Sequence, residues 1–100
     1  MPGLMKNSSL TLASAIILRA VSEGHCYGFE IMEATGLPSG TIYPALRRLQ
    51  EARLIRSAYH ETADSESQGP PRKYFHTTAE GERALEAAGK RYPVVAARGG

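Results

Sequence analysis

The stretch GLPSGTIYPALRRL, Gly36 to Leu49, combines two features that a buried helix does not need. It begins with small and hydroxyl-bearing residues, Ser39–Thr41, and it carries two adjacent cations, Arg47 and Arg48. Small side chains let another molecule approach the first turn of a helix, where free amides and the helix dipole attract anions. The stretch therefore predicts a helix whose start contacts a second, anionic molecule.

The same stretch predicts how this helix packs. We expect Ser39 or Thr41 to cap the helix, which runs to about Ala52. Its apolar residues recur at helical spacing and form a core-facing stripe of Ile42, Leu46 and Leu49. Arg47 and Arg48 lie off that stripe, so they are expected to face outward and to reach a phosphate backbone.

Two further helices are predicted before this one. Residues Leu10–Glu23 form the first, capped by Ser8 or Ser9, and residues Tyr27–Thr35 form the second, which Gly36 ends. The first helix is apolar on nearly all sides, which favours two partners, the chain's own core and a second subunit. The alternative is that a small protein surrounds this helix completely. The second helix offers Phe29, Ile31 and Met32 to the core.

A β-hairpin is predicted after the third helix. Residues Leu54–His60, with Ile55 and Tyr59 on one face, and residues Arg72–Thr77 are its strands, joined by a polar loop over 61–71. Two helices joined by a short turn form a helix-turn-helix, and a hairpin after them makes it a winged helix. The predicted fold class is therefore α+β, mainly helical, with three helices, a two-stranded wing and a C-terminal helix.

The C-terminal helix begins at Thr77 or Thr78, where Thr77 and Glu80 match a capping box. Its thin apolar stripe contains Ala84, Leu85 and Ala88. Pro93 is expected to end or kink the helix near Tyr92. The predicted division of the chain is an arm over 1–9, a DNA-binding winged helix-turn-helix domain over 10–77, a C-terminal helix over 78–95 and a disordered tail over 96–100.

A second basic element lies at the predicted wing. The segment Gly69–Tyr74 (GPPRKY) places a stiff Pro-Pro corner before Arg72 and Lys73, which would rest on the phosphate backbone or in the minor groove. The alternative is an ordinary exposed hairpin edge, where cations discourage aggregation. Tyr43 likewise has two interpretations, a hydroxyl donor to DNA or a half-buried packing residue.

Composition narrows the classes of function. The chain has 100 residues, 42% of them hydrophobic and 22% charged, which indicates one globular domain. It has no apolar run of the ~18 residues that a membrane span needs and no signal-peptide pattern, so we expect a cytoplasmic protein. Its one cysteine, Cys26, fits that compartment. The net charge of +2 is only a weak indication of nucleic-acid binding.

Catalytic and metal sites are not predicted. His25 and Cys26 are adjacent, a spacing that does not bring both side chains comfortably onto one ion, and His60 and His76 are distant in sequence. No nucleophilic triad, phosphate-binding loop or carboxylate pair is present. We therefore expect no enzyme, no metal and no cofactor. A redox-sensing role for Cys26 is not demanded by any feature of the sequence.

Four segments resemble the PadR family of bacterial transcriptional regulators: residues 25–31 (HCYGFEI), 37–49 (LPSGTIYPALRRL), 71–75 (PRKYF) and 78–81 (TAEG). The resemblance implies a winged-helix homodimer that binds palindromic double-stranded DNA, usually as a repressor. It implies that the DNA site contains Ser39, Gly40, Thr41 and Tyr43, with Arg72 and Lys73 on the wing; Arg47 and Arg48 join them from the helix pattern. Family dimers pack the C-terminal helix with the partner's first helix, so the predicted dimer contacts are Leu10, Ala13, Ile17, Leu85, Ala88 and Tyr92.

The chain departs from the family pattern at several positions. Arg53 stands where the family usually has glycine, so it must adopt a left-handed conformation or end the third helix differently. Pro70 replaces a common wing arginine, and Thr77 replaces a usual leucine. Some multidrug-binding relatives place a tryptophan in the dimer cavity. This chain has none, so drug binding is not expected.

The predicted function is a homodimeric DNA-binding repressor, in which a ligand, such as a small-molecule effector, or a change of condition alters the angle between the two DNA-binding heads. The alternatives are a winged-helix module that binds a protein partner and a ligand-binding dimer without affinity for DNA. Salt dependence separates the first reading from these alternatives, because phosphate contacts make the affinity for DNA fall steeply with salt.

Overall fold

A computed structural model describes residues 10–60 and 72–96. The predicted loop over 61–71, the arm over 1–9 and the last tail residues, 97–100, lie outside the described residues. The elements in chain order are α1 (Leu12–Ser22), α2 (Gly28–Thr35), α3 (Ser39–Glu51), β1 (Ile55–His60), β2 (Arg72–Thr77), α4 (Ala79–Arg91) and α5 (Pro93–Ala96). This order confirms the predicted winged helix, a mainly helical α+β fold with a two-stranded antiparallel sheet.

The core surrounds α1 and includes the predicted stripe of α3. Ile42, Leu46 and Leu49 are all at most 2% exposed, as their helical spacing predicts. Burying side chains of this size contributes about 1.5–3 kcal/mol each. The prediction for α2 is right for Ile31, which is fully buried, and wrong for Phe29, which is 61% exposed. With only eight residues, α2 buries one narrow face, formed by Gly28 and Ile31.

The hairpin is buried where β1 begins and becomes exposed farther along the strand. Strands β1 and β2 pair antiparallel, with Ile55 opposite Thr77, Ser57 opposite Phe75 and Tyr59 opposite Lys73. Ile55 and Phe75 are buried, whereas Tyr59, predicted on the same face as Ile55, is 62% exposed because the strand has passed the edge of the body there.

The segment between α1 and α2 holds the outer edge of β2. Tyr27 forms an isolated antiparallel bridge with Tyr74, and the Phe75 amide donates a hydrogen bond of 2.8 Å to the Cys26 carbonyl. The two tyrosine rings meet edge to face, with centroids 6.3 Å apart. The wing is therefore tied to the start of the helix-turn-helix as well as to α3.

Two helix caps differ from their predicted positions. Thr11 caps α1 instead of Ser8 or Ser9, and its hydroxyl accepts a 3.1 Å hydrogen bond from the Ser14 amide. Pro38 occupies the cap position of α3, so neither Ser39 nor Thr41 caps this helix; both belong to its first turn. Proline favours the extended backbone that a cap position needs, and this preference outweighs the hydroxyls that follow.

The start of α4 is locked to the junction between α3 and β1. Thr78 caps α4, and its hydroxyl accepts a 2.9 Å hydrogen bond from the Gly81 amide, so the box predicted from Thr77 and Glu80 is out of register by one residue. The same hydroxyl donates to the Arg53 carbonyl at 2.9 Å. Gly81 is required here because a Cβ on it would overlap the carbonyl oxygen of Leu54.

The ends of α2 and α3 follow the local signals in the sequence. Gly36 ends α2 in the left-handed conformation, with φ of 76°. Arg53, two residues after α3, has φ of 65°. Among the described residues, it is the only one with a positive φ that is not a glycine. Of the two alternatives open to an arginine at a usual glycine position, this chain therefore adopts the left-handed one.

The C-terminal segment folds back across α1. Helix α4 ends at Arg91, as Pro93 predicts, and α5 follows. The Tyr92 hydroxyl donates to the Leu10 carbonyl at 3.1 Å, and the Arg19 guanidinium donates to the Val94 carbonyl at 2.6 Å. Val95 is 1% exposed, so this segment closes the core over α1.

Three of the predicted dimer contacts are buried within the chain itself. Ile17, Leu85 and Ala88 are at most 5% exposed and pack in the chain's own core, so in this conformation they offer a second subunit no surface. The chain thus surrounds much of α1 itself, which was the alternative interpretation of its apolar circumference. Leu10, Ala13 and Tyr92 remain half-exposed. None of the described helices is long and apolar enough to cross a lipid bilayer.

Candidate nucleic-acid interface

The first turn of α3 is open to the surroundings. Ser39 and Gly40 are exposed and Thr41 is half-exposed, and no side chain among the described residues caps this turn. A Cβ on Gly40 would meet no atom within 4 Å, so nothing inside the chain requires a glycine there. Glycine within a helix costs roughly 0.5–1 kcal/mol relative to alanine, and this position accepts that cost on an open surface.

Tyr43 is held in place by the start of α2. Gly28 is buried, and a Cβ on it would overlap the phenol of Tyr43. The ring nevertheless remains 50% exposed. The packing interpretation of Tyr43 therefore describes one side of its ring, which lies on Gly28. Its role as a hydroxyl donor to DNA stays a prediction, and the exposed part of the residue leaves room for that contact.

A groove of about 680 Å³ brings the predicted helix and wing residues together. Tyr43 and Arg47 line it from α3, and Lys73 lines it from β2. The Lys73 ammonium lies 5.7 Å from the centroid of the Phe75 ring, which covers the floor of the groove. Two cations and a tyrosine from separate elements thus face one concave surface, which Glu51 also lines. The cations outnumber this one carboxylate, so the surface suits an anionic strand.

Two aromatic residues in this groove were not predicted as site residues. Tyr27 and Phe29 line its far side, next to Gly28. Phe29 was predicted to lie in the core. A helix of eight residues is too short for its apolar spacing to distinguish the buried face from the exposed face beside it. The signal that would have found it is the position of α2, whose start must lie beside α3 in any helix-turn-helix.

The two adjacent arginines of α3 lie on different surfaces. Both are exposed, as predicted. Arg47 lines the groove shared with the wing, whereas Arg48 lines a separate groove of about 360 Å³ next to Leu10 and Ser14 at the start of α1. Consecutive helical residues are rotated by about 100°, so one of them must leave the face that Tyr43 occupies. Arg72 is the first residue of β2, one position before Lys73.

The described residues contain no group of three or more His, Cys, Asp or Glu side chains placed to hold a metal ion. His76 lies in β2, its ring 6.4 Å from that of Tyr74, while His25 and half-exposed Cys26 lie between α1 and α2. The interface offers amides, hydroxyls, aromatic rings and cations, together with the carboxylate of Glu51, a set of groups that suits binding.

Comparison with known proteins agrees with this chemistry. The model of the PadR-like family of transcriptional regulators matches residues 17–87. A PadR family transcription regulator from hypervirulent Clostridium difficile is 30% identical, with 86% of this chain and 92% of that chain covered and a TM-score of 0.68. A PadR-like transcriptional regulator from Bacillus cereus is 32% identical over 83% of this chain and 82% of that chain, with a TM-score of 0.63. No protein of curated function matches the chain significantly in sequence.

The fold extends beyond this family. Bordetella bronchiseptica BpsR, whose DNA binding is regulated by 6-hydroxynicotinic acid, is 20% identical, with 91% of this chain and 68% of that chain covered and a TM-score of 0.66. That likeness shows a shared fold alone. The family match covers most of the chain, so the protein belongs to the PadR-like family of transcriptional regulators, whose members regulate transcription through DNA and are not enzymes.

Proposed function

We propose that this protein is a homodimeric repressor that binds a palindromic operator, with the start of α3 in the major groove and the wing on the adjacent backbone or minor groove. The observation that carries the proposal is the single groove lined by Tyr43, Arg47 and Lys73, beside an uncapped first turn of α3. A recognition helix and a wing must contact one DNA segment together, and this groove joins them.

The first turn of α3 supplies the closest contacts in this proposal. Its amides lack a side-chain cap, and the positive end of the helix dipole favours a phosphate oxygen there. Gly40 lets the backbone approach the DNA, while the hydroxyls of Ser39 and Thr41 reach phosphates or base edges. Tyr43, Arg47, Lys73 and Arg72 then hold the flanking backbone, with Arg48 as an outlying contact.

The proposed operator is palindromic because the proposed dimer has two-fold symmetry. Two copies related by a two-fold axis place their recognition helices about 34–36 Å apart, one turn of DNA. The half-exposed Leu10, Ala13 and Tyr92 form the proposed dimer surface together with Leu12, which is 42% exposed. An effector that shifts α1 against the C-terminal segment would change the angle between the two heads. BpsR is a protein of the same fold whose DNA binding responds to a small molecule.

The test is binding to the DNA upstream of the protein's own gene, compared with scrambled DNA at two salt concentrations. We expect tighter binding to the upstream DNA, a steep loss of affinity with salt, and abolition by the double substitution Thr41→Ala/Arg72→Ala. Arg83→Ala is the matched control, since it removes an exposed cation from α4, outside the groove. Weak binding of equal strength to both DNAs would contradict the proposal for this promoter.

A second candidate is a winged helix that binds a protein partner. The exposure of Phe29, at 61%, favours this candidate, because apolar rings on a surface are suited to protein contacts. The two candidates differ in their response to salt and to Phe29→Ala. A protein-binding module would lose its partner on that substitution and show no affinity for DNA that falls with salt, and a pull-down would identify the partner.

A further inference from the structure

A hydrogen bond joins the recognition helix to the wing. The Gln50 side-chain amide, in the last turn of α3, donates to the Ser57 hydroxyl on β1 at 2.9 Å. Both residues are half-buried. Gln50 lines the groove shared by α3 and β2, and it also lines a second groove of about 940 Å³ that contains Ser57, Arg53 and Arg56. The bond therefore lies between two concave surfaces.

The position of the bond along the hairpin matters. Ser57 pairs with Phe75, the last buried residue of β2 before the strand leaves the core. Further out, Tyr59 and Lys73 pair opposite each other and are exposed. Each residue of a strand advances about 3.3 Å, so a small rotation of β1 at Ser57 becomes a larger displacement toward the tip of the hairpin. The bond therefore lies at the boundary between the buried and the exposed part of the hairpin.

The two strands are held from different sides. The Cys26 carbonyl and the Tyr27 bridge hold β2 against the segment before α2. The Gln50 bond holds β1 against α3, the helix that carries Tyr43 and Arg47. Gln50 lines the same groove as Arg47 and Lys73, so its bond to β1 lies beside the surface that these two cations share.

We propose that Gln50 is a positioning residue for DNA binding, which through its bond to Ser57 sets the wing at the angle where Lys73 and the α3 residues contact the same DNA segment. This inference rests on the proposed function. Gln50 itself need not contact the DNA. It acts by reducing the freedom of the hairpin before binding, so that less conformational entropy is lost when the complex forms.

The experiment measures DNA affinity against salt for Gln50→Ala and Ser57→Ala, each with and without Lys73→Ala. In the unmodified protein, Lys73→Ala should lower the slope of log affinity against log salt by about 1. We expect Gln50→Ala and Ser57→Ala each to weaken binding about three- to tenfold, the range of one hydrogen bond. In the Gln50→Ala protein or the Ser57→Ala protein, Lys73→Ala should reduce the DNA affinity and the salt slope by less than it does in the unmodified protein. Ser57→Thr keeps the hydroxyl and should retain the unmodified slope.

A purely structural role would lower the thermal midpoint and leave the effect of Lys73→Ala unchanged, which would overturn the proposal. Unaltered affinity in both Gln50→Ala and Ser57→Ala would overturn it as well. Two separate substitutions, each checked by circular dichroism, guard against misfolding of one of them. If the unmodified protein shows no salt-dependent binding, the proposed function fails and this inference fails with it; if it binds and the variants match it, only the role of Gln50 is rejected.

Discussion

Gly40 is the residue at which folding and the proposed function have opposite requirements. Its Cβ position is empty, so Gly40→Ala should stabilise the fold by about 0.5 kcal/mol, because alanine loses less backbone entropy in a helix. The added methyl would stand between the first turn of α3 and the DNA. We expect the affinity for the operator to fall about tenfold, the equivalent of one lost hydrogen bond to phosphate. Thermal unfolding and DNA binding of the same sample test both parts. A variant less stable than the unmodified protein would contradict this account.

Arg47 and Arg48 provide a comparison between neighbouring residues of one type. Arg47 shares a groove with Lys73, whereas Arg48 lies beside the start of α1. Arg47→Ala should weaken operator binding and lower the salt slope by about 1, as expected for one lost phosphate contact. Arg48→Ala should have a clearly smaller effect on both. Equal losses for the two variants in a salt titration would show that the DNA contacts both flanks of α3.

Arg53 has a left-handed backbone, which costs a residue with a Cβ about 1–2 kcal/mol. Arg53→Gly should therefore stabilise the protein by roughly 0.5–1 kcal/mol after the entropy of glycine is subtracted. Arg53→Ala is the control, since it removes the same charge and keeps the strain. Urea denaturation should separate the two variants. If alanine stabilises as much as glycine does, the gain comes from the charge and not from the backbone.

At the scale of the elements, Thr78 joins α4 to the rest of the domain. Its hydroxyl accepts from the Gly81 amide and donates to the Arg53 carbonyl. Thr78→Ala should lower the free energy of unfolding by about 1–2 kcal/mol, the usual cost of a lost cap. Thr78→Ser keeps the hydroxyl and should stay within about 0.5 kcal/mol of the unmodified protein. The two variants are compared by chemical denaturation, and equal losses would show that the methyl group, and not the cap, stabilises this junction.

The elements that sequence reasoning predicts correctly have local signals. The apolar spacing of α3, the left-handed glycine at Gly36 and the stop before Pro93 each depend on a few neighbouring residues. The cap of α3 was misplaced because Pro38 and Ser39 both suit that position, and local preference alone does not rank them. The exposure of Phe29 is decided by the placement of α2 beside α3, which no short window of sequence contains.

The candidate site likewise contains residues that local sequence predicts and contacts that it does not. The hydroxyl-rich turn, Tyr43 and the wing cations were predicted from motif and resemblance, and the structure brings Tyr43, Arg47 and Lys73 to one groove. The separation of Arg48 from that groove, and the bond between Gln50 and Ser57, depend on how the hairpin packs against the helix. Contacts of this kind arise between elements far apart in sequence, and their residues carry no pattern that identifies them beforehand.

At the scale of the whole molecule, the exposed face of α1 should govern assembly. Ala13 is half-exposed on that face, so Ala13→Glu leaves the core intact and places two like charges across a two-fold interface. We expect the dissociation constant of the dimer to rise at least about tenfold, because each subunit buries an unpaired carboxylate. Phe29→Glu adds the same charge on the groove-lining surface and should leave the dimer unaffected. Sedimentation velocity over a range of concentrations distinguishes them, and an unchanged dimer in Ala13→Glu would place the interface elsewhere.

The return of the C-terminal segment across α1 has a consequence for synthesis in the cell. Val95 packs in the same core as α1, and the Arg19 side chain binds the Val94 carbonyl. A nascent chain cannot close this core until residue 95 has left the ribosome, although α1 emerges early. During that interval the part of α1 that this segment covers stays exposed to solvent. Complete burial of α1 therefore has to wait for the translation of this segment.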